Sequence, residues 1–332
     1  MSGPERLAGN QPADRFYRGG GKIRDFRKFA AEGDRVPEDW VASTTTLFGE
    51  SEAGLTRLPG GTLLIDEIRE HPDAWLGAEH LAAFGADTKL LVKLLDAGER
   101  LPVHIHPDGA FAQEHLGVLH GKAEAWYILD GGTVHLGFQR DVDAAELAGW
   151  VETQDTDALM AAMHTIEVRP GDSVFVPAGL PHSIGAGIFL VEVQEPEDLS
   201  ILLEWKTFAI DGPRDGHLGI GFDAALQATD RTAWTWDQVH GLVVRGGSGA
   251  DTLAAGAEPY FRAEFHDITD ATVLDPGFST LVVLDGAGTL TTGSGSVMEL
   301  RAGDTILIPH SGGTLAIDGS LAFLRCRPPA AG

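Results

Sequence analysis

Apolar and polar positions alternate with period two along most of the chain. In LPVHIH (101–106) Val103 and Ile105 alternate with His104 and His106. Alternate side chains of a strand share a face, so both imidazoles point to one side and both aliphatic groups to the other. KLLVKLLDAG, just upstream, opens a run of such strands. Residues 41 to 70 hold short β-like runs such as GGTLLIDEI, and the first 20 residues or so read as a loose arm. The alternation breaks at HPDAWLGAEHLAAFGADT (71–88), which predicts one or two short helices. It breaks again over about 142–164, which predicts a pair of short helices inserted at a loop, and at DAALQATDRTAWTWDQVH, which predicts one or two more.

The pattern also repeats. AEAWYILDGGTVHLGF (123–138) and IEVRPGDSVFVPAG (166–179) return in weakened form as FSTLVVLDGAGTLTTG (278–293) and MELRAGDTILIPHSG (298–312). Each copy has an alternating strand, an Asp-Gly pair, a second strand, then R-x-G-D and an apolar strand ending in Pro. Asp-Gly between alternating runs is a hairpin signal. The fold class is therefore mainly β, with two small antiparallel barrels of one topology and short helical insertions. The divisions expected are an N-terminal arm (1–40), a first barrel (41–222), a helical connector (223–245) and a second barrel (246–332).

Composition narrows the function. A chain of 332 residues with 43% hydrophobic content suits a folded globular protein. A net charge of −25 repels polyphosphate, so no nucleic-acid partner is expected. A single cysteine, Cys326, rules out an intrachain disulfide and a multi-thiolate metal site. No apolar run reaches the ~18 residues of a membrane span and no leader is visible, so no membrane partner and a cytoplasmic location are expected. The oligomeric state is left open.

The chemistry lies in the first copy. Beyond GERLPVHIH stands GDSVFVPAGLPH, in which Gly171, Pro177, Gly179 and His182 follow the spacing G-x5-P-x-G-x2-H. These are the two halves of the cupin signature, and the chain resembles a two-barrel cupin of jelly-roll type. Three neutral imidazoles and one carboxylate suit a single divalent metal such as Zn, Mn, Fe or Ni. Glu124, opening the strand before Asp130-Gly131, is preferred as the carboxylate over Glu114, which lies in a loop or short helix. His115 and His120 are expected to face solvent. The second copy has Thr314 where the first has His182, and His310 is out of register, so the second barrel is expected to be metal-free.

Seventeen residues separate His106 from Glu124, against three or four in most cupins. That insertion, the G-K-x-E of Gly121 to Glu124, the helical insertion and the closing ELRAGDTILIP resemble type I mannose-6-phosphate isomerase across most of the chain. The resemblance implies one metal, Zn above the others, held by His104, His106, Glu124 and His182. It implies interconversion of an aldose and a ketose, mannose 6-phosphate to fructose 6-phosphate or a related free sugar, by proton transfer between C1 and C2. Lys122 matches the family lysine and ranks first as the catalytic group, with Glu192 and Lys93 beside it. Asp108, Gln194 and Lys206 are expected to bind substrate.

Two departures stand out. The first ligand is usually Gln, and here it is His104. The family's arginine falls about at Leu202, and a charge-assisted contact to phosphate is worth roughly 1.5–3 kcal/mol. Lys206 or Arg214 could replace it, or the sugar could carry no phosphate. A metal cupin of another class, such as an iron dioxygenase, and a non-catalytic sugar-binding relative are the alternatives, with a storage-type bicupin behind them.

Overall fold

The computed structural model describes residues 3–29 and 33–331. The first barrel consists of two antiparallel sheets. One runs in the order Val243–Val244, Ser173–Val176, Glu124–Asp130, Phe189–Gln194, Leu91–Asp96, Glu38–Val41. The other runs Ile201–Leu202, His104–Ile105, His182–Ile184, Gly132–Phe138, Met163–Val168. The second barrel is a single sheet of seven strands whose centre is Ser279–Thr292 against Leu315–Arg327. The expected architecture of two antiparallel barrels with short helices is what the chain adopts.

The repeat is preserved down to individual hydrogen bonds. In R-x-G-D the Asp carboxylate accepts the Arg N–H three residues back, at 2.8 Å for Asp172 and Arg169 and 2.9 Å for Asp304 and Arg301. The glycine N–H then donates to the neighbouring strand, Gly171 to Ile128 O and Gly303 to Val283 O, both at 2.9 Å. A four-residue turn thus locks the same strand pair in each barrel.

The Asp-Gly pairs are not hairpins. Glu124–Asp130 and Gly132–Phe138 belong to different sheets, and Gly131 is the corner between them. A Cβ on Gly131 would lie 2.3 Å from Val168 O, so only glycine allows the chain to cross there. In the second barrel the chain runs through Asp285-Gly286 as one strand of 14 residues, with a bulge between Val283 and Asp285. A turn-type dipeptide between alternating runs marks a change of direction, and a corner or bulge satisfies it as well as a hairpin does.

Two further expectations fail. From residue 3 onward the described N-terminal segment is not loose: Glu5–Arg6 pairs with Thr305–Ile308, Gly21–Arg27 is helical, and Glu38–Val41 is the edge strand beside Leu91–Asp96, while residues 1–2 lie outside the described residues. LIDEI lies in the helix Leu64–Glu70, because Leu64 and Ile68, four apart, bury one helical face. The other breaks in alternation are helical: Pro72–Leu76 and Ala78–Phe84, Ala144–Thr153 and Thr156–Ala161, and Phe222–Ala225 and Trp236–Gly241. The barrels share one apolar core, where Tyr127 stacks on Phe265 with ring centroids 5.4 Å apart.

Candidate metal centre

The two sheets of the first barrel bring opposite chemistries together. His104 and His182 are cross-strand partners on the five-stranded sheet, and His106 follows two residues on. The six-stranded sheet supplies the row Trp40, Lys93, Glu192, Trp126, each the register partner of the next on antiparallel strands. Glu124 lies two residues before Trp126 and so shares its face. All three histidines, Glu124, Lys93, Lys122 and Glu192 are buried.

Each histidine donates from Nδ1 to a backbone carbonyl: His104 to Pro102 O at 2.8 Å, His106 to Leu199 O at 2.6 Å, His182 to Leu180 O at 2.7 Å. A carbonyl only accepts, so each Nδ1 carries the hydrogen and each Nε2 of a neutral ring is a bare lone pair. The ligating atoms of the three rings lie within 4.8 Å of one another. Burial, and then the neighbouring Lys122 charge, pushes His106 down to about 3. Burial likewise holds His104 well below the ordinary imidazole value. Both rings are neutral at pH 7.

Glu124 then meets these lone pairs with its own. Its Oε2 is 3.0 Å from His106 Nε2 and its Oε1 is 3.4 Å from His182 Nε2. Burial alone would push the Glu124 carboxyl up, but Lys122 and His106 hold it well below the usual carboxylate range. An ionised carboxylate facing bare imidazole nitrogens is acceptor against acceptor, which a cation between them relieves. Lys122 Nζ meets part of that demand, at 2.7 Å from Glu124 Oε2 and 2.9 Å from His106 Nε2. His182 Nε2 is buried with no hydrogen-bond partner among the described residues. The donor set therefore fits a divalent metal, with three nitrogens and one oxygen. Trp126 Nε1 donates to Glu124 Oε1 at 2.9 Å and fixes its orientation.

Local sequence explains the convergence. A Cβ on Gly121 would lie 2.6 Å from Gly109 N and 2.7 Å from Pro107 O, so glycine lets Lys122 approach the histidine strand. Lys122 N–H donates to Pro107 O at 3.0 Å, and Gly179 N–H donates to His106 O at 2.7 Å. The two halves of the signature are thus tied together through the backbone.

The acid–base groups lie beside the ligands. Lys93 Nζ stands between Glu38 Oε2 at 3.4 Å and Glu192 Oε1 at 3.5 Å, and Lys122 Nζ is 3.7 Å from Glu192 Oε1. Glu192 Oε1 makes no hydrogen bond among the described residues. Burial, and then the Glu124 charge, raises the Glu192 carboxyl. These groups line one pocket that also reaches His104 and Glu124.

Three expected substrate-binding residues are not brought to it. Asp108 is exposed and caps the helix Gly109–Leu116, accepting Phe111 N–H at 2.8 Å. Gln194 is the register partner of Glu124, yet its amide donates to Glu195 O and Glu197 O, at 2.9 and 2.6 Å. Lys206 is exposed and outside the lining, its backbone held by Gln154 Oε1 at 3.0 Å. The competitor Glu114 is exposed on the same helix, and His120, expected to face solvent, is largely covered and engaged with Asp87. Sequence reasoning missed Arg15, Tyr17, Glu38 and Asp198, which complete the pocket wall. Arg15 and Tyr17 both contact Glu38 Oε1, at 3.0 and 2.6 Å. Glu38 shares a strand face with Trp40 through the spacing of two in E-x-W, while Arg15 and Tyr17 lie in an irregular segment that carries no such signal.

Fold and pocket together define a two-barrel cupin fold whose first barrel gathers three histidines and a carboxylate in one pocket. No protein-family model matches the chain. It is 27% identical over 319 residues to a Bacillus subtilis protein called "Probable mannose-6-phosphate isomerase GmuF", covering 93% of this chain and 95% of the relative. It is 29% identical over 265 residues to a mannose-6-phosphate isomerase of Streptococcus mutans, covering 75% and 78%. The crystal structure of mannose 6-phosphate isomerase from Bacillus subtilis superposes with a TM-score of 0.75 at 22% identity, over 98% of this chain and all of the other. The chain is thus similar to proteins named mannose-6-phosphate isomerase over nearly its whole length.

Proposed function

We propose that the chain is a metal-dependent aldose–ketose isomerase that moves a proton between C1 and C2 of a small sugar. The observation that carries this reading is one pocket holding three bare imidazole nitrogens and a carboxylate beside a buried acid, Glu192, whose Oε1 makes no hydrogen bond among the described residues. The relatives named mannose-6-phosphate isomerase support the same reaction class. His104, His106, Glu124 and His182 would hold the ion, and zinc suits a set of three imidazoles and one carboxylate. When bound, it supplies Lewis acidity at the sugar carbonyl.

The chain's own groups divide the remaining work. Glu192 Oε1 takes the C2 proton of the aldose and returns it to C1. A carboxyl raised by burial is the stronger base once ionised. The Lys122 ammonium donates to the carbonyl oxygen O1 as the enediol forms and recovers a proton from O2 as it collapses, so atoms and electrons balance without a co-reactant. Lys93, held between Glu38 and Glu192, positions the Glu192 carboxylate. Trp40 lies under the Lys93 ammonium, 4.6 Å from ring centroid to Nζ, and keeps that side dry.

The test is ketose formation followed by NMR with D-mannose and mannose 6-phosphate, using zinc-loaded protein. Turnover of at least one, abolished by chelator and restored by zinc, is expected. Ketose from neither at saturating zinc would contradict the reading.

A further inference from the structure

The pocket leads outward. Arg15, Phe16, Asp198 and Ser200 line both the inner pocket and an outer cleft, so the end of a substrate remote from the ligands faces this cleft. The cleft is acidic. Asp14, Glu50, Asp198, Asp211 and Asp215 face two guanidiniums, Arg15 and Arg214. Neither guanidinium is free. Arg15 Nε holds Glu38 Oε1 at 3.0 Å, with Asp198 at 3.7 Å from Nη2. Arg214 holds Asp215 through two nitrogens, at 2.8 and 2.7 Å.

The inner cations are committed as well, Lys93 to Glu38 and Glu192 and Lys122 to Glu124. Cross-strand from His104, lining the cleft where it meets the site, stands the aliphatic Leu202. A phosphate dianion has no hydrogens to donate and needs unpaired cations or amides. Sugar hydroxyls donate, and carboxylates are their natural acceptors. Resting on the isomerase reading above, we propose that the substrate is an uncharged, unphosphorylated aldose and that the carboxylates of the outer cleft select against its phosphate ester.

The experiment compares kcat/KM of the zinc-loaded chain on D-mannose and on mannose 6-phosphate, at low and at high salt. The free sugar is expected to be favoured by roughly tenfold or more, and salt is expected to raise the rate on the phosphate ester alone, because it screens the carboxylates. The Asp211→Lys, Asp215→Lys double variant, checked for folding by its Tm, is expected to shift the ratio toward the phosphate ester severalfold. Equal or better turnover of mannose 6-phosphate would overturn the selectivity and leave the isomerase reading standing. A ratio unmoved by both salt and the double variant would overturn the role of the cleft. No ketose from either sugar would overturn both readings.

Discussion

The two barrels share a frame and differ in what fills it. Both close their strand pairs with the same R-x-G-D turn and the same two hydrogen bonds, one to the Asp carboxylate and one between backbones. On the inner faces, Glu124 and Trp126 of the first barrel correspond in the repeat to Ser279 and Leu281 of the second, and His182 to Thr314. The second interior is closed by Leu281, Val283, Leu290, Ile306, Ile308 and Phe323, all fully buried. The first instead buries three imidazoles, Glu124, Glu192, Lys93 and Lys122. Turns and alternation therefore set the frame, while a handful of inward positions decide whether it becomes a site or a core. Buried charge is tolerated in the first barrel because nearly every ion has a partner, and removing one partner leaves the other stranded.

That difference can be broken at several points. Glu192→Gln removes the proton-transferring carboxylate while keeping its shape. A fall in kcat of about 10²–10⁴-fold is expected, with metal content unchanged by elemental analysis. In the second barrel Phe323→Ala is expected to cost about 3–5 kcal/mol in denaturant unfolding and to leave metal stoichiometry and KM as they were. Trp126→Phe deletes the donor that orients Glu124, and metal affinity measured by competition with a chelator is expected to fall by about 10–100-fold.

The smallest effect concerns pH. Burial raises the Glu197 carboxyl to about 7. The folded chain then binds more protons than the unfolded chain between the ordinary value of 4.5 and 7, so this group's contribution is present below 4.5 and is lost as pH rises through 7. Glu197→Gln is expected to flatten the fall of Tm across that window. An unchanged slope would show that Glu197 does not hold its proton in the fold.

Much of this was legible in the residues. The histidine pair, His182 and Glu124 could be read because strand alternation and the G-x5-P-x-G-x2-H spacing are local signals, and the repeat revealed which copy lacked them. Arg15, Tyr17 and Glu38 could not, because Glu38 reaches the pocket on a strand whose pairing with Leu91–Asp96 spans more than fifty residues, and Arg15 and Tyr17 meet it from an irregular segment. Asp108 was assigned to substrate because a carboxylate near H-x-H looks like a pocket group, yet here it caps a helix N-terminus. The Asp-Gly corner was read as a hairpin because the two sheets that diverge there leave no mark in a single strand's pattern.

The most direct measurement is the metal content of the chain after incubation with zinc and gel filtration, beside the His182→Ala variant. One equivalent in the parent and none in the variant is expected, since His182 Nε2 is the buried lone pair that nothing else among the described residues satisfies. No retained metal in the parent, or a full equivalent kept by the variant, would contradict a metal centre in the first barrel.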